Sequence, residues 1–289
     1  MPKVLVIGDV IDDIIVTPSG PIRIDTDTTS KIQSKPGGSG ANFACWLASL
    51  GMETHFVGRV GRSDFERHSE LLRNFGVTPH LQIDEETETG KIVILVEGNN
   101  RSFLTDRGAN SKLDLGAIQD ELFGDALYIS GYSVFDQSVT SIQSLIARGK
   151  QHGIVMCDPG SAGYIADHSV TDFLNAITGV DVLVPSLSEG RVLSAEDRPE
   201  IIAAQLTSRA SLVALTLGAE GVQLAWSDEN LRVDAFNAEV VDPTGAGDAF
   251  AAKFLSELLA FSTPDQAALA ANRFAAKAVT VNGGRPKIS

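Results

Sequence analysis

Val241-Asp242-Pro243-Thr244-Gly245-Ala246-Gly247-Asp248-Ala249-Phe250 is the stretch on which the reading of this chain turns. Before it, Leu231 to Val240 reads as a short extended run. After it, Ala249, Phe250, Phe254, Leu255, Leu258 and Leu259 recur at helical spacing. A strand, a glycine turn and a helix in that order aim the backbone N–H groups of Gly245, Ala246 and Gly247 at one point. These amides have no partner inside the helix, and the helix dipole adds about half a positive charge there. The point suits an anion, most plausibly a phosphate. Asp248 would be an ordinary helix-start acid anywhere else. Beside a phosphate cradle its charge repels the ligand, a cost that makes sense where the carboxylate takes a proton from the group attacking the phosphate. The dipole is expected to keep Asp248 ionised at pH 7.

The rest of the composition narrows the class. The chain has 289 residues, 43% of them hydrophobic, enough to bury a full α/β core as one domain with a small appendage. A net charge of −14 argues against a nucleic-acid surface, yet not against a local anion cradle. Cys45 and Cys157 lie far apart and read as buried thiols suited to a reducing cytosol. His55, His68, His80, His152 and His168 form no HxxxH or HExxH pair, so no zinc site is expected. No apolar run approaches the ~20 residues that span a bilayer, and Met1-Pro2-Lys3 before Val4 is too short for a signal peptide. A cytoplasmic protein without membrane or nucleic-acid partners is the expectation.

From the N-terminus, Val4 to Gly8 reads as a strand buried on both faces. Asp9, Asp12 and Asp13 follow it, in the place where open α/β sheets bind ligands, with Asp9 and Asp12 read as a solvated turn. Pro36-Gly37-Gly38-Ser39-Gly40-Ala41-Asn42 runs into a helix stopped by Gly51. Glu53 to Val60 is a strand, and Ser63 is expected to cap a helix from Phe65 to Phe75. Residues 14–35 and 85–106, with a Gly98-Asn99-Asn100 turn, are expected to make a small sheet off the main domain, Phe103 filling its core. Arg107 either reaches a ligand or pairs with a surface acid. Ala126–Gly131, Gly153–Asp158, Asp181–Val184 and Ser211–Leu217 alternate with helical stretches, which predicts a mostly parallel sheet covered on both faces. Asp158-Pro159-Gly160 reads as a strand-end turn. Ala267 to Val281 is a small-residue helix.

The 241–250 stretch resembles the C-terminal signature of the ribokinase-like (PfkB) carbohydrate kinases, and residues 36–44 resemble their N-terminal signature, some 200 residues earlier. The resemblance covers essentially the whole chain. It implies a ribokinase-like α/β fold with a β-sheet lid. It also implies Asp248 as catalytic base and Gly245, Ala246 and Gly247 as the anion hole. By the same resemblance Asp13, Gly37, Gly38 and Asn42 contact the acceptor, with Arg107 a further candidate from its own position, and an ionised Asp13 suits a polyol because it accepts two hydroxyl protons at once. Ser186 and Glu189 correspond to the family's Asn-x-x-Glu, with serine replacing the asparagine, and Glu189 would place Mg²⁺ through water. Thr216, Gly218 and Gly221 would line the phosphates, and Asn282 and Gly283 the adenine. In many members a monovalent cation, K⁺, binds where Asp242 and Thr244 stand, and in some the lid is a homodimer contact.

The function so implied is ATP-dependent phosphorylation of a hydroxyl on a small sugar or sugar-like substrate. A nucleoside kinase of the same fold is the neighbouring reading, though 6% aromatic residues offer few stacking partners for a base. A non-catalytic sugar- or nucleotide-binding protein is the rival from another class, and intact Asp248 speaks against it. A P-loop kinase or Rossmann dehydrogenase is not supported: the chain has no GxxxxGK[ST], and no GxGxxG follows the first strand.

Overall fold

The computed structural model describes residues 1–98, 100–281 and 283–287. In chain order the strands are β1 (Lys3–Ile7), β2 (Ile11–Pro18), β3 (Ser30–Gly37), β4 (Glu53–Gly61), β5 (Val77–Asp84), β6 (Thr89–Glu97) and β7 (Asn100–Gly108). They continue as β8 (Ala126–Ser130), β9 (Ile154–Asp158), β10 (Val180–Leu183), β11 (Ala210–Thr216), β12 (Val222–Trp226) and β13 (Glu229–Val233). The helices are α1 (Ser39–Ser49), α2 (Phe65–Asn74), α3 (Val139–Lys150), α4 (Ala162–Asp167), α5 (Val170–Ile177), α6 (Leu187–Ser194), α7 (Pro199–Leu206), α8 (Ala246–Leu259) and α9 (Pro264–Ala278).

A nine-stranded sheet runs β13-β12-β11-β10-β9-β8-β1-β4-β5. It is parallel from β11 to β5, and β12 and β13 are antiparallel additions. The continuous apolar run of β1 follows from this central place. Val4 and Val6 face the layer of α1, α8 and α9, while Leu5 and Ile7 face the layer of α3, α5, α6 and α7. Cys45 and Cys157 are both buried free thiols, one in each layer.

The second sheet, β3-β2-β6-β7, pairs β2 parallel to β6 and is otherwise antiparallel. It is the small sheet expected as the lid: β2 and β3 extend beyond residues 14–35 at both ends, whereas β6 and β7 start and end later than 85–106. Asp13 therefore lies inside β2, opposite Lys35 and Ile92, and belongs to the lid itself. Phe103 is 60% exposed and fills no lid core.

Three local expectations fail for physical reasons. Residues 62–64 form a single 3₁₀ turn, so Asp64 rather than Ser63 stands at the start of α2, where Arg67 binds its carboxylate. The extended run before the glycine turn stops at Val233, because the Asn272 side chain takes the carbonyls of Val233 and Asp234. The last helix starts earlier, with Pro264 in its first turn, and ends at Ala278.

One crossing fixes where α1 begins. The end of β1 and the start of α1 touch backbone to backbone: a Cβ on Gly8 would lie 2.6 Å from the Cα of Gly40, and one on Gly40 would lie 2.5 Å from the Cα of Gly8. Gly8→Ala is expected to lower stability by about 1–3 kcal/mol through overpacking, read as a lower urea midpoint. A midpoint equal to that of the parent would show that α1 can retreat without cost.

Candidate active site

The parallel strands β1, β8, β9, β10 and β11 end along one edge of the sheet, and the lid stands over that edge. Between them lies a cavity of about 290 Å³. Asp9, Asp158, Ser186, Glu189 and Thr216 line it from the strand ends, and the starts of α1 and α8 close it. Asp13, Ile92, Ile94 and Phe103 form the lid wall. A second cavity of about 350 Å³ adjoins it and shares Thr216, Pro243, Ala246 and Gly247. Its other walls are mostly apolar, among them Phe236, Val240, Phe250, Ala275 and Val279. The glycine turn before α8 thus sits where an acidic chamber meets an apolar one.

Gly245 starts α8 at φ +77°, and a Cβ there would lie 2.5 Å from the carbonyl oxygen of Gly284. Only glycine satisfies both conditions. The amide of Ala246 is tied back to the Pro243 carbonyl at 3.2 Å, which removes it from the cradle expected at 245–247. Among the described residues the amides of Gly245, Gly247 and Asp248 have no acceptor and remain for an anion. Asp248 stands beside them, its Oδ1 accepting the Ser39 hydroxyl at 2.8 Å.

The dipole does not decide the charge of Asp248. Burial of its carboxyl, with the negative charge of Asp9, outweighs the hydrogen bonds of Ser39 and Asn42 and the positive Arg285, and pushes its pKa up to about 7. A half-protonated carboxyl near neutrality is poised to exchange a proton.

The residues expected to contact an acceptor lie on the other side. Asp13 is raised to about 6, mainly by burial and then by Asp9, with Arg285 and Lys35 pulling the other way. Gly37 makes room for it, since a Cβ there would lie 2.3 Å from Asp13 Oδ2. Gly38 has φ +92° and passes so close to Asp9 that a Cβ would lie 2.4 Å from its carbonyl oxygen. Asn42 is buried in the first turn of α1, at the cavity wall. Arg107 is buried but is not among the described wall residues. It lies over the Tyr132 ring, which is, and its Nε donates to Asp136 at 3.1 Å.

Asp9 and Asp12 are not a solvated turn. Asp9 is 2% exposed and accepts the amides of Ser39 and Gly40 and the Ser130 hydroxyl, so it pins α1 to β1 and β8. Asp12 takes a two-pronged bond from Arg67. Burial alone would raise its pKa, but His68 and Arg67 hold it well below the usual carboxylate range.

Ser186 and Glu189, expected to face a nucleotide, form a reciprocal capping box at the start of α6. Burial raises the pKa of Glu189 despite these bonds, and burial plus the charges of Glu189 and Asp248 raise that of Asp158 well above its ordinary value. Asp158 therefore faces the chamber as well as opening a turn. Thr216 borders both chambers, and Gly218 and Gly221 border the apolar one. Gly283 donates its amide to Asp242 Oδ2 at 3.0 Å, and Asn282 lies outside the described residues. Asp242 also accepts the amide and hydroxyl of Thr244 and a bond from Arg101. Among the described residues no cluster of three or more His, Cys, Asp or Glu is placed to hold a metal.

Ser39, Arg101 and Arg285 were not singled out from the sequence. Ser39 lies within the quoted glycine-rich stretch and was open to recognition as a hydroxyl at a helix start. Arg101, at the lid tip, donates to Thr244 Oγ1 and Asp242 across more than 140 positions, and no local pattern announces that contact.

Comparison with known proteins places this geometry. The sequence model described as pfkB family carbohydrate kinase matches residues 1–289. An uncharacterised sugar kinase of Archaeoglobus fulgidus is 28% identical, over 83% of this chain and 96% of its own. Ribokinase of Bacillus subtilis is 28% identical, over 99% and 97%. Among solved structures, adenosine kinase from Sinorhizobium meliloti superposes with a TM-score of 0.87 at 24% identity, covering 99% of this chain and 96% of that one. Ribokinase from Thermotoga maritima gives 0.83 at 24% identity, covering 98% and 95%.

Proposed function

The chain belongs to the pfkB family of carbohydrate kinases and has the ribokinase-like fold, and on that premise we propose that it transfers the γ-phosphoryl group of ATP to a hydroxyl of a small sugar or sugar-like acceptor. The observation that carries this reading is Asp248: a carboxyl poised near neutrality, oriented by Ser39, beside three amides free to hold an anion. ATP bound with Mg²⁺ would supply the phosphoryl group. The apolar chamber lined by the 235–240 segment, α8 and α9 has the chemistry of a purine site, and the buried carboxyl of Glu189, raised in pKa, has that of a cation site completed by water. Asp13, Asn42 and the Gly37–Gly38 backbone orient the acceptor hydroxyl toward Asp248. Asp248 takes its proton as the bond to phosphorus forms, and the free amides of Gly245, Gly247 and Asp248 stabilise the charge on the phosphoryl oxygens. Catalysis on this account is positioning plus electrostatics.

A nucleoside acceptor is the second reading. The lid wall of Ile92, Ile94 and an exposed Phe103 offers an apolar face opposite the acidic floor, which fits a base above a ribose. A cation beside Asp242 and Thr244 is not needed for either reading, since Arg101 already supplies positive charge there.

We also propose a second copy of this chain on the lid's outer face. Strand register sets Asp13, Ile92, Ile94 and Phe103 toward the cavity. It leaves Ile14, Val16, Ile32, Val93, Leu95 and Leu104 as a row on the opposite face, with Ile32 64% and Leu104 63% exposed.

Four outcomes are expected. ATP turnover against a panel of sugars and nucleosides should show an acceptor, need Mg²⁺, and fall about 10²–10⁴-fold in Asp248→Asn; equal turnover in that variant would remove Asp248 as base. A base must be deprotonated to act, so kcat/KM should decline as pH drops below about 7. Burial that raises an acid's pKa destabilises its charged form, so Asp248→Asn should also melt higher than the parent at pH 8. By sedimentation the parent should be a dimer and Ile32→Lys with Leu104→Lys a monomer; a monomeric parent rejects the lid contact.

A further inference from the structure

The last described residues fold back into the centre of the site. Gly284 gives its carbonyl to Trp46 Nε1 on α1 at 2.8 Å and packs directly on Gly245 of the anion turn. Gly283 binds Asp242. Arg285 then turns inward and is 8% exposed. Its Nε donates to Asn42 Oδ1 at 3.0 Å and its Nη2 to the Gly37 carbonyl at 2.8 Å, and its buried Nη1 has no partner among the described residues. Neither acceptor is charged. A buried guanidinium normally pairs with a carboxylate, because an unpaired buried charge is costly. Here it faces the carboxyls of Asp13 and Asp248 through space, and lowers the pKa of both.

We propose that Arg285 is a positioning residue: its fork holds Asn42 and the Gly37 carbonyl in register for the acceptor, and its charge, carried through Asn42, offsets the acidic cluster around Asp248. This inference rests on the kinase reading for its catalytic consequence, but its electrostatic part does not. Asn42 has one carbonyl oxygen, and Arg285 occupies it, which turns the amide NH₂ toward Asp248. The groups facing Asp248 are Asp9 after β1, Asp13 on β2, Tyr128 on β8, Asp158 on β9, Glu189 on α6 and Cys45 on α1. All are neutral or negative, and among the described residues Arg285 is the cation whose charge acts on Asp248, Arg101 being engaged by Thr244 and Asp242. Lysine in its place would keep the charge and lose the two-acceptor fork, whereas glutamine would keep a donor and lose the charge.

The test uses both variants on the full chain and reads Asp248 directly, by carboxyl ¹³C NMR titration with Asp248→Asn identifying the resonance. In Arg285→Gln, Asp248 should titrate about one unit higher than in the parent, the scale of losing a nearby opposite charge, and the acid limb of kcat/KM should move with it. In Arg285→Lys the titration should stay near the parent while KM for the acceptor rises about 10-fold and kcat changes less, the pattern of lost ground-state positioning. A purely structural role would weaken both variants alike and leave the Asp248 titration in place. Unchanged titration in Arg285→Gln overturns the proposal, as does an unaltered acceptor KM in Arg285→Lys. The titration arm needs no turnover, so it decides the electrostatic role even if no acceptor is found and the kinase reading fails.

Discussion

The backbone contact between Gly8 and Gly40 is the constraint on which the rest of the molecule depends. A strand end and a helix start can meet Cα to Cα only where neither carries a side chain. The contact brings the amides of Ser39 and Gly40 within reach of Asp9, whose two oxygens then hold α1 on the sheet. With α1 so placed, the Ser39 hydroxyl reaches Asp248 on a helix that begins more than 200 residues later. Helices α1 and α8 pack together in the core layer that buries Phe43, Leu47 and Phe254, with Phe43 stacked on Tyr128 of β8, at about 1.5–3 kcal/mol for each side chain buried. Packing therefore does at a distance what a hydrogen bond alone could not: it fixes the separation of two helix starts to within hydrogen-bond tolerance.

That geometry concentrates negative charge. Asp9, Asp13, Asp158, Glu189 and Asp248 line one small chamber in a chain of net charge −14. Burial in like-charged company raises Asp13, Asp158, Glu189 and Asp248 together. Such a chamber costs stability as pH rises, because the folded state keeps protons that the unfolded chain has released. The free amides at the start of α8 work against this field over a few ångströms, which is how an acidic protein can present an anion site. Asp12 shows the contrary case at the start of β2: with His68 and Arg67 at hand its carboxyl is depressed, and it serves the fold rather than the chamber.

Much of this was legible before the structure. Continuous apolar runs separated by helical periodicity imply a parallel sheet buried on both faces, and β1, β8, β9, β10 and β11 lie within a residue or so of where those runs place them. The two glycine-rich stretches imply helix starts that approach something closely, and both do. Arg107 was left between a ligand contact and an ion pair with a surface acid; its Nε pairs with Asp136, and its guanidinium lies over Tyr132. The charge of Asp248 was misjudged because a helix dipole is visible in sequence and desolvation is not.

The amino-acid sequence by itself determined the local devices: glycines where φ must be positive, a capping box at Ser186 and Glu189, apolar faces at the right period, and an acid in the first turn of α8. These follow from short-range sterics and hydrogen bonding, which neighbours in sequence settle between themselves. The tertiary structure alone decided that Arg101 meets Asp242, that Arg285 grips Asn42, and that five carboxyls share one chamber. Those outcomes depend on which surfaces are brought together after the chain has closed loops of a hundred residues or more, and on the water excluded when they meet; neither is encoded in any stretch short enough to be read alone.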